Sequence, residues 1–306
     1  MRLVRYLNPD RDKLPATSVA VGNFDGLHLG HQALIAAARE GAGKLAPALM
    51  CFEPLPATFF SPDEPQPRLL GVRDRIRLVG EQGIDWLFML RFNQEFARLS
   101  PERFVRDVLV SGARAERVVV GADFRFGSRA AGDVAMLEKL GRRYGFSVVR
   151  VDAVEESGER ISSTRVRTAL SGGDLDTVER LLGRPYVLSG RVLRGRALGR
   201  DLGFPTVNLR PPLPPALSGI LAVRVSGAGL VSHPGVASIG RRPTIGGDEW
   251  LLEVHLFDYD GELYGQHLEV AFVAFIRNEE HFDDLDAMTE QMKKDAEKAK
   301  DILKNK

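Results

Sequence analysis

Cysteine is almost missing from this chain: Cys51 stands alone among 306 residues. No disulfide can form within the chain, and a reducing compartment is implied. Cys51 lies in an apolar run and reads as a small core residue. An excess of charge is missing too. Forty-two Lys and Arg against 41 Asp and Glu leave a formal charge of +1. That gives no general attraction to nucleic acid or to a membrane surface, so any positive site is local. No apolar run nears the roughly 18 residues of a membrane span. The N-terminal residues MRLVRYLNPD lack the apolar centre of a signal peptide. Internal repeats and low-complexity tracts are absent. The expectation is a cytoplasmic globular protein with neither nucleic acid nor membrane as a partner. A homo-oligomer is left open.

With 44% apolar and 27% charged residues, the composition is that of an ordinary globular protein, and the length suits two domains. The first half alternates apolar runs with amphipathic ones. Strands are predicted over Val19–Gly22, Ala48–Phe52, Trp86–Leu90, Arg117–Gly121 and Ser147–Val151. Helices are predicted over Gln32–Arg39, Val72–Glu81, Pro101–Ser111 and Asp133–Tyr144. This rhythm predicts an α/β Rossmann-like domain with a parallel sheet. Pro54–Pro67 holds five prolines and reads as a long surface loop. A helix capped by Asp174 and ended by Gly183 closes this half, so the boundary is set at 183/184. Beyond it come short β-rich segments split by Gly and Pro: Tyr186–Val192, Ile220–Val225, Gly235–Ser238, Trp250–Leu256 and Leu268–Ile276. They predict a small barrel or sandwich. A last helix, Asp284–Leu303, carries the stripe Leu285, Met288, Met292, Ala299 and Leu303.

Gly22-Asn23-Phe24-Asp25-Gly26-Leu27-His28-Leu29-Gly30-His31 follows the first predicted strand and opens the first helix. In an open α/β sheet, ligands bind at the carboxyl ends of strands. Glycines let the backbone approach a phosphate, and a helix N-terminus attracts an anion. His28 and His31 can both donate hydrogen bonds to phosphoryl oxygens as charge builds. The glycines as a plain turn, the histidines as surface caps, or a metal site are the alternatives; no third metal ligand is evident at a suitable spacing. The His-x-Gly-His pattern resembles the signature of the nucleotidylyltransferase superfamily. Its partner motif follows far downstream as Ile161-Ser162-Ser163-Thr164-Arg165-Val166-Arg167. The resemblance implies that Gly22, Phe24, Gly26, Gly30, Ser162, Ser163 and Thr164 bind ATP. Arg167 would hold a triphosphate oxygen and, with His28 and His31, would be catalytic. The stretches Cys51–Pro56, Phe92–Pro101 and Gly121–Gly127 are similar to those of bacterial FMN adenylyltransferase modules. This similarity implies flavin contacts by Pro54, Pro56, Asp123 and Phe126. Leu55 departs from the family, which often has His there.

In the second half, Gly195, Gly199 and Gly203 suggest a loop that closes over phosphates, ahead of Thr206 and Asn208. A hydroxyl and a carbonyl oxygen are hard ligands that suit Mg²⁺. Gly-Phe-Pro-Thr could also be only a turn. Gly203-Phe204-Pro205-Thr206-Val207-Asn208 resembles the phosphate- and metal-binding loop of riboflavin kinases, with Val207 replacing the usual alanine. Ile239–Thr244, Leu252–His255, Leu263–Gly265, Ile276–Phe282 and Gln291–Asp295 follow in the family order. Ile220-Leu221 stands where the family often has Val-Tyr. The resemblance implies that Gly195, Gly199 and Gly203 bind ATP and that Thr206 and Asn208 hold Mg²⁺. Arg277 and Phe282 would contact flavin, and Glu253 would be the base. Alternation alone puts Glu253 and His255 opposite the apolar Leu252, Val254 and Leu256, where Glu253 could be merely an outward residue. Together the resemblances imply a bifunctional riboflavin kinase and FMN adenylyltransferase. Riboflavin would become FMN and FMN would become FAD, with ATP used twice and pyrophosphate released in the second step. Two rivals are an enzyme with one working half and a flavin-binding regulator without catalysis.

Overall fold

The computed structural model describes residues 1–7, 14–194, 203–211, 214–244 and 247–306. Its elements begin with β1 (Arg2–Val4), β2 (Thr17–Val21), α1 (Leu29–Glu40), β3 (Ala46–Glu53), α2 (Pro56–Phe60), α3 (Val72–Glu81) and β4 (Trp86–Arg91). Then come α4 (Gln94–Ala97), α5 (Pro101–Arg103), β5 (Ala115–Gly121), α6 (Val134–Tyr144) and β6 (Ser147–Val151). Every residue of β2 is buried, as are the centres of β3 and β4. Strands hidden on both faces read as continuous apolar runs, which suits a parallel sheet. The six strands lie in the order β1-β4-β3-β2-β5-β6, all parallel. The order runs outward from β2 in one direction and resumes at β5 in the other. The switch point therefore lies between β2 and β5, where ligands bind in open α/β sheets.

The chain divides into two compact units. One is Met1–Gln66 with Val72–Ile161; the other is Pro67–Gly71 with Ser162–Lys306. The core of the first unit includes Val19, Val21, Met50, Phe88, Phe104, Leu109, Val118 and Leu137. Cys51 is fully buried, as its apolar run predicts. Three expectations need correction here. The proline-rich stretch is not all loop, because α2 starts at Pro56, where a missing N–H breaks no helical bond. The stretch after Pro101 is not a plain α-helix: wider π-type turns run over Phe104–Gly112. That winding keeps Phe104, Val105, Val108 and Leu109 against the core. Gly22 is the first residue after its strand rather than the last within it. The three-residue β1, which escapes any periodicity, pairs with β4 at the sheet edge.

A hairpin, β7 (Glu155–Glu156) and β8 (Glu159–Arg160), ends the first unit. The second contains α7 (Ser163–Ser171), α8 (Leu175–Leu182), β9 (Tyr186–Leu193), β10 (Thr206–Leu209) and β11 (Gly219–Gly227). It continues with β12 (Leu230–Thr244), β13 (Gly247–Leu256), β14 (His267–Arg277) and α9 (Leu285–Asn305). Asp174 caps α8 and Gly183 ends it in the left-handed region, as expected. The strands close into a barrel, β10-β13-β12-β11-β14-β9. Between barrel and sandwich, the barrel is what forms. β12 is much longer than its expected core of Gly235–Ser238 because it is paired on both sides, to β11 and β13. The stripe of α9 is also corrected. Leu285 is 64% exposed, while Ala296, Ala299 and Leu303 pack against Phe257 and Ile276. The first turn lies off the contact, so its leucine stays in solvent.

Two candidate active sites

In the first unit, the loop after β2 turns through three left-handed residues: Phe24 (φ 50°), Gly26 (φ 88°) and Leu27 (φ 45°). Gly26 takes this conformation freely. Phe24 and Leu27 do so because their side chains are buried, at 0% and 2% exposure. The Gln32 side chain donates to the Leu27 carbonyl at 2.9 Å. His28 then caps α1: its Nδ1 accepts from the His31 backbone N–H at 3.3 Å. An accepting Nδ1 leaves the ring proton on Nε2. The His28 and His31 rings stack with centroids 3.7 Å apart. Gly30 makes this possible, since a Cβ there would stand 3.2 Å from the His28 ring. It would also stand 3.6 Å from the carbonyl oxygen of Ile161, the first residue of the second motif. His31 Nδ1 is buried with no hydrogen-bond partner among the described residues. Burial, helped by the adjacent His28, pushes the His31 pKa well below the usual histidine value. Gly22, Phe24, Gly26, Gly30, His28 and His31 thus form one structure at the end of β2.

The flavin candidates of this unit separate by burial. Pro54 and Pro56 are half-buried at the start of α2, joined to β3 by a cis Glu53–Pro54 bond. Leu55 between them is 5% exposed. Asp123 is at the end of β5, on the switch point's other side, and accepts from Arg160 at 2.7 Å. That hydrogen bond holds the Asp123 carboxyl below its usual pKa. Phe126 is 6% exposed and its ring neighbours Phe104 and Phe124 in the core. In the second unit, Ser162 caps α7 by accepting from the Arg165 N–H at 3.2 Å. Ser163 and Thr164 open that helix. Arg167 donates through Nε to the Pro67 carbonyl at 2.7 Å, which orients its guanidinium.

The barrel site follows from strand register. Thr206 pairs with His255 and Asn208 with Glu253 across β10 and β13. Val207 and Leu209 pair with Val254 and Leu252 on the apolar inner face. Alternation therefore places Thr206, Asn208, Glu253 and His255 together on the outer face. Asn208 is only 8% exposed, a buried polar residue on the side away from the core. Ser238 of β12 also pairs with Glu253. It donates to Glu279 at 3.1 Å. The His255 ring bonds the Pro205 carbonyl at 2.9 Å, fixing the turn before Thr206. Arg277 is held by Asp295 through Nε and Nη2 at 2.7–3.1 Å. Gln291 donates to the same carboxylate at 3.0 Å. The Arg277 guanidinium lies 5.8 Å from the Phe282 ring centroid. Gly203 ends a turn with φ 79°, whereas Gly195 and Gly199 lie outside the described residues.

Two family models match in sequence. That for FAD synthetase covers residues 10–165 and that for riboflavin kinase covers residues 182–303. The chain belongs to the bifunctional riboflavin kinase/FMN adenylyltransferase family. The protein of that name from Escherichia coli K12 is 41% identical over 99% of this chain and 98% of its own. The one from Pseudomonas fluorescens is 43% identical over 94% and 93%. A solved structure from Streptococcus pneumoniae superposes with a TM-score of 0.81 at 31% identity over 96% of this chain and 97% of its own. It is described as a macrolide-efflux protein. The two family models and the curated relatives agree with each other and with the residues above, so they decide the family. Among the described residues, no helix is long and apolar enough to cross a membrane.

The departures noted in the sequence are placed by burial and register. Leu55 and Leu221 are buried, and half-buried Val207 pairs with buried Val254. Sequence reasoning did not single out Arg75, Ser238 or Glu279. Arg75 had a visible signal only in retrospect, as an arginine beside Asp74 on the buried side of α3. Glu279 lies in the family-like stretch Ile276–Phe282 without being given a role, and its meeting with Ser238 had no signal, because strand pairing and a turn bring the two together.

Proposed function

We propose that this chain makes FAD in two steps, each at one of the sites described. Riboflavin is phosphorylated to FMN by ATP at the barrel. FMN is then adenylylated by a second ATP, giving FAD and pyrophosphate. The supporting observation is that one chain carries both the stacked histidine cap at α1 and Asn208 facing Glu253 across β10 and β13.

In the kinase step, the Glu253 carboxylate accepts the proton of the riboflavin 5′-hydroxyl. That oxygen attacks the γ-phosphorus, and the bond to the bridging oxygen breaks, releasing ADP. Thr206 and Asn208 offer hard oxygens of the kind Mg²⁺ prefers, on the same outer face as Glu253. When bound with ATP, Mg²⁺ would offset the phosphate charge. The described residues contain no cluster of three or more Asp, Glu, His or Cys that could hold an ion. This donor set suits a cation that keeps waters and phosphate oxygens as most of its ligands. Gly195, Gly199 and Gly203 take the phosphate loop, and Arg277 with Phe282 takes the flavin.

In the adenylyl step, a phosphate oxygen of FMN attacks the α-phosphorus and the bond to the bridging oxygen of pyrophosphate breaks. Nε2–H of His28 donates to an oxygen that gains charge, and neutral His31 supports it by stacking. The N–H groups opening α1 face the triphosphate. Gly22, Phe24, Gly26 and Gly30 are assigned to ATP, and so, by the family motif, are Ser162, Ser163, Thr164 and Arg167. Pro54, Pro56 and Asp123 take the flavin side, and Phe126 supports it from the core. We set the functional boundary at 183/184 and the place of work in the cytoplasm. Its partners are small molecules rather than nucleic acid or membrane.

The test follows riboflavin, ATP and Mg²⁺ with the purified chain by chromatography, beside a reaction begun from FMN. FMN should rise and fall as FAD accumulates. FMN that never becomes FAD, under oxidising or reducing conditions, would remove the adenylyl reading. FAD only from supplied FMN would remove the kinase reading.

A further inference from the structure

Arg75 is the largest fully buried side chain of the described residues. It sits on α3 and reaches two backbone regions of the first unit. Its Nη1 donates to the Asn23 carbonyl at 3.3 Å, inside the loop after β2. Its Nη2 is paired with the Glu53 carboxylate, at the end of β3 and directly before Pro54. Its Nε is buried with no hydrogen-bond partner among the described residues. For stability alone this is a poor arrangement. A buried ion pair can often be replaced by packed apolar groups at no cost or with gain, and an orphaned N–H adds a further penalty.

What the guanidinium does supply is geometry. Its planar fork fixes two donors at a set angle. One tethers the loop between Gly22 and Phe24, and the other tethers the edge of the Pro54–Pro56 segment. The loop needs external tethers, because Phe24 and Leu27 hold left-handed conformations that cost about 1 kcal/mol each. At its far end the loop is fixed by Gln32 and by the His28 cap. At its near end, Arg75 grips the loop backbone at the Asn23 carbonyl.

We propose that Arg75 is a positioning residue for adenylyl transfer, setting the nucleotide loop through the Asn23 carbonyl and coupling it to Glu53 beside the flavin segment. This rests on the assignment of the Gly22–His31 loop to ATP. Arg75 touches no reacting atom; it acts through the loop.

The experiment compares Arg75→Met, Arg75→Lys and His28→Ala in the full chain, measuring FAD formation from FMN and FMN formation from riboflavin in the same preparations. Arg75→Met should lower kcat/KM for ATP in FAD formation by about 10- to 100-fold, with a raised KM for ATP. Its riboflavin kinase constants should stay within about twofold of the parent. Arg75→Lys keeps a cation and its donors but loses the planar fork, so it should keep a raised KM for ATP, smaller than that of Arg75→Met. A purely structural role predicts something else: fewer active molecules, hence a lower apparent kcat at unchanged KM for ATP in both variants. That pattern overturns the proposal, as does FAD formation by Arg75→Met within twofold of the parent. His28→Ala separates the two levels. If it abolishes FAD formation while Arg75→Met does not, Arg75 is misassigned and the site stands. If His28→Ala leaves FAD formation intact, the site assignment falls and the proposal with it. Should Arg75→Met fail to fold, Glu53→Gln takes its place. It keeps an acceptor but loses the charge, and an unchanged KM for ATP in that variant overturns the coupling.

Discussion

An imidazole partly shut off from water gives up its proton more readily than one in water, and half-buried His31, its Nδ1 buried, is such a group. The unfolded chain would bind a proton at this residue near pH 6.5. The folded chain binds it only at lower pH, so between the two values the unfolded state holds more protons. The contribution of His31 is thus complete above about pH 6.5 and is lost as the pH falls below it, by up to about 1.4 kcal/mol per unit. Urea midpoints at pH 7.5 and 5.5 should differ less in His31→Gln than in the parent. An equal difference would mean that His31 titrates normally. The two proposed chemical groups are separable in the same way. His28→Ala should lower FAD formation by about 10²- to 10³-fold while leaving FMN formation intact. Glu253→Gln should lower FMN formation by at least about 10²-fold while supplied FMN still becomes FAD. Equal loss of both activities in either variant would count against its assignment.

At the scale of single elements, caps and clamps set the geometry. Ser162 opens α7 by accepting from Arg165, so Ser162→Ala should lower stability by about 1 kcal/mol, read from a melting curve. A larger fall in FAD formation than that cost explains would reveal a contact with ATP besides the cap. Asp295 is buried on α9 and is the carboxylate that clamps Arg277 on β14. Asp295→Ala would leave that half-buried guanidinium without its main partner, at about 3–5 kcal/mol. Thermal melting and riboflavin KM should both move, whereas the KM for FMN in the adenylyl step should not. The stripe expected on α9 missed this residue because apolar periodicity does not register a buried charge. It counted Leu285, which the element leaves in solvent.

Over the whole molecule, two activities on one chain need not share one protein copy. A mixture of His28→Ala and Glu253→Gln chains should convert riboflavin to FAD through free FMN, with FMN visible before FAD appears. No FAD from the mixture, with each variant active in its own half-reaction, would mean that FMN is not released between the steps. The sequence by itself determined the α/β rhythm, the strand-loop-helix at Gly22–His31 and the capped α8, because periodicity, glycine and cap chemistry act between near neighbours. It also carried both family signatures, each a continuous run of residues. Tertiary structure alone decided that the β-rich half closes into a barrel and that Asn208 faces Glu253 across a ladder. It alone decided that Ser238 meets Glu279 and that Arg75 grips Asn23 and Glu53. Those contacts join residues far apart in the chain, and their register is set by packing and long-range hydrogen bonds, which no local pattern encodes.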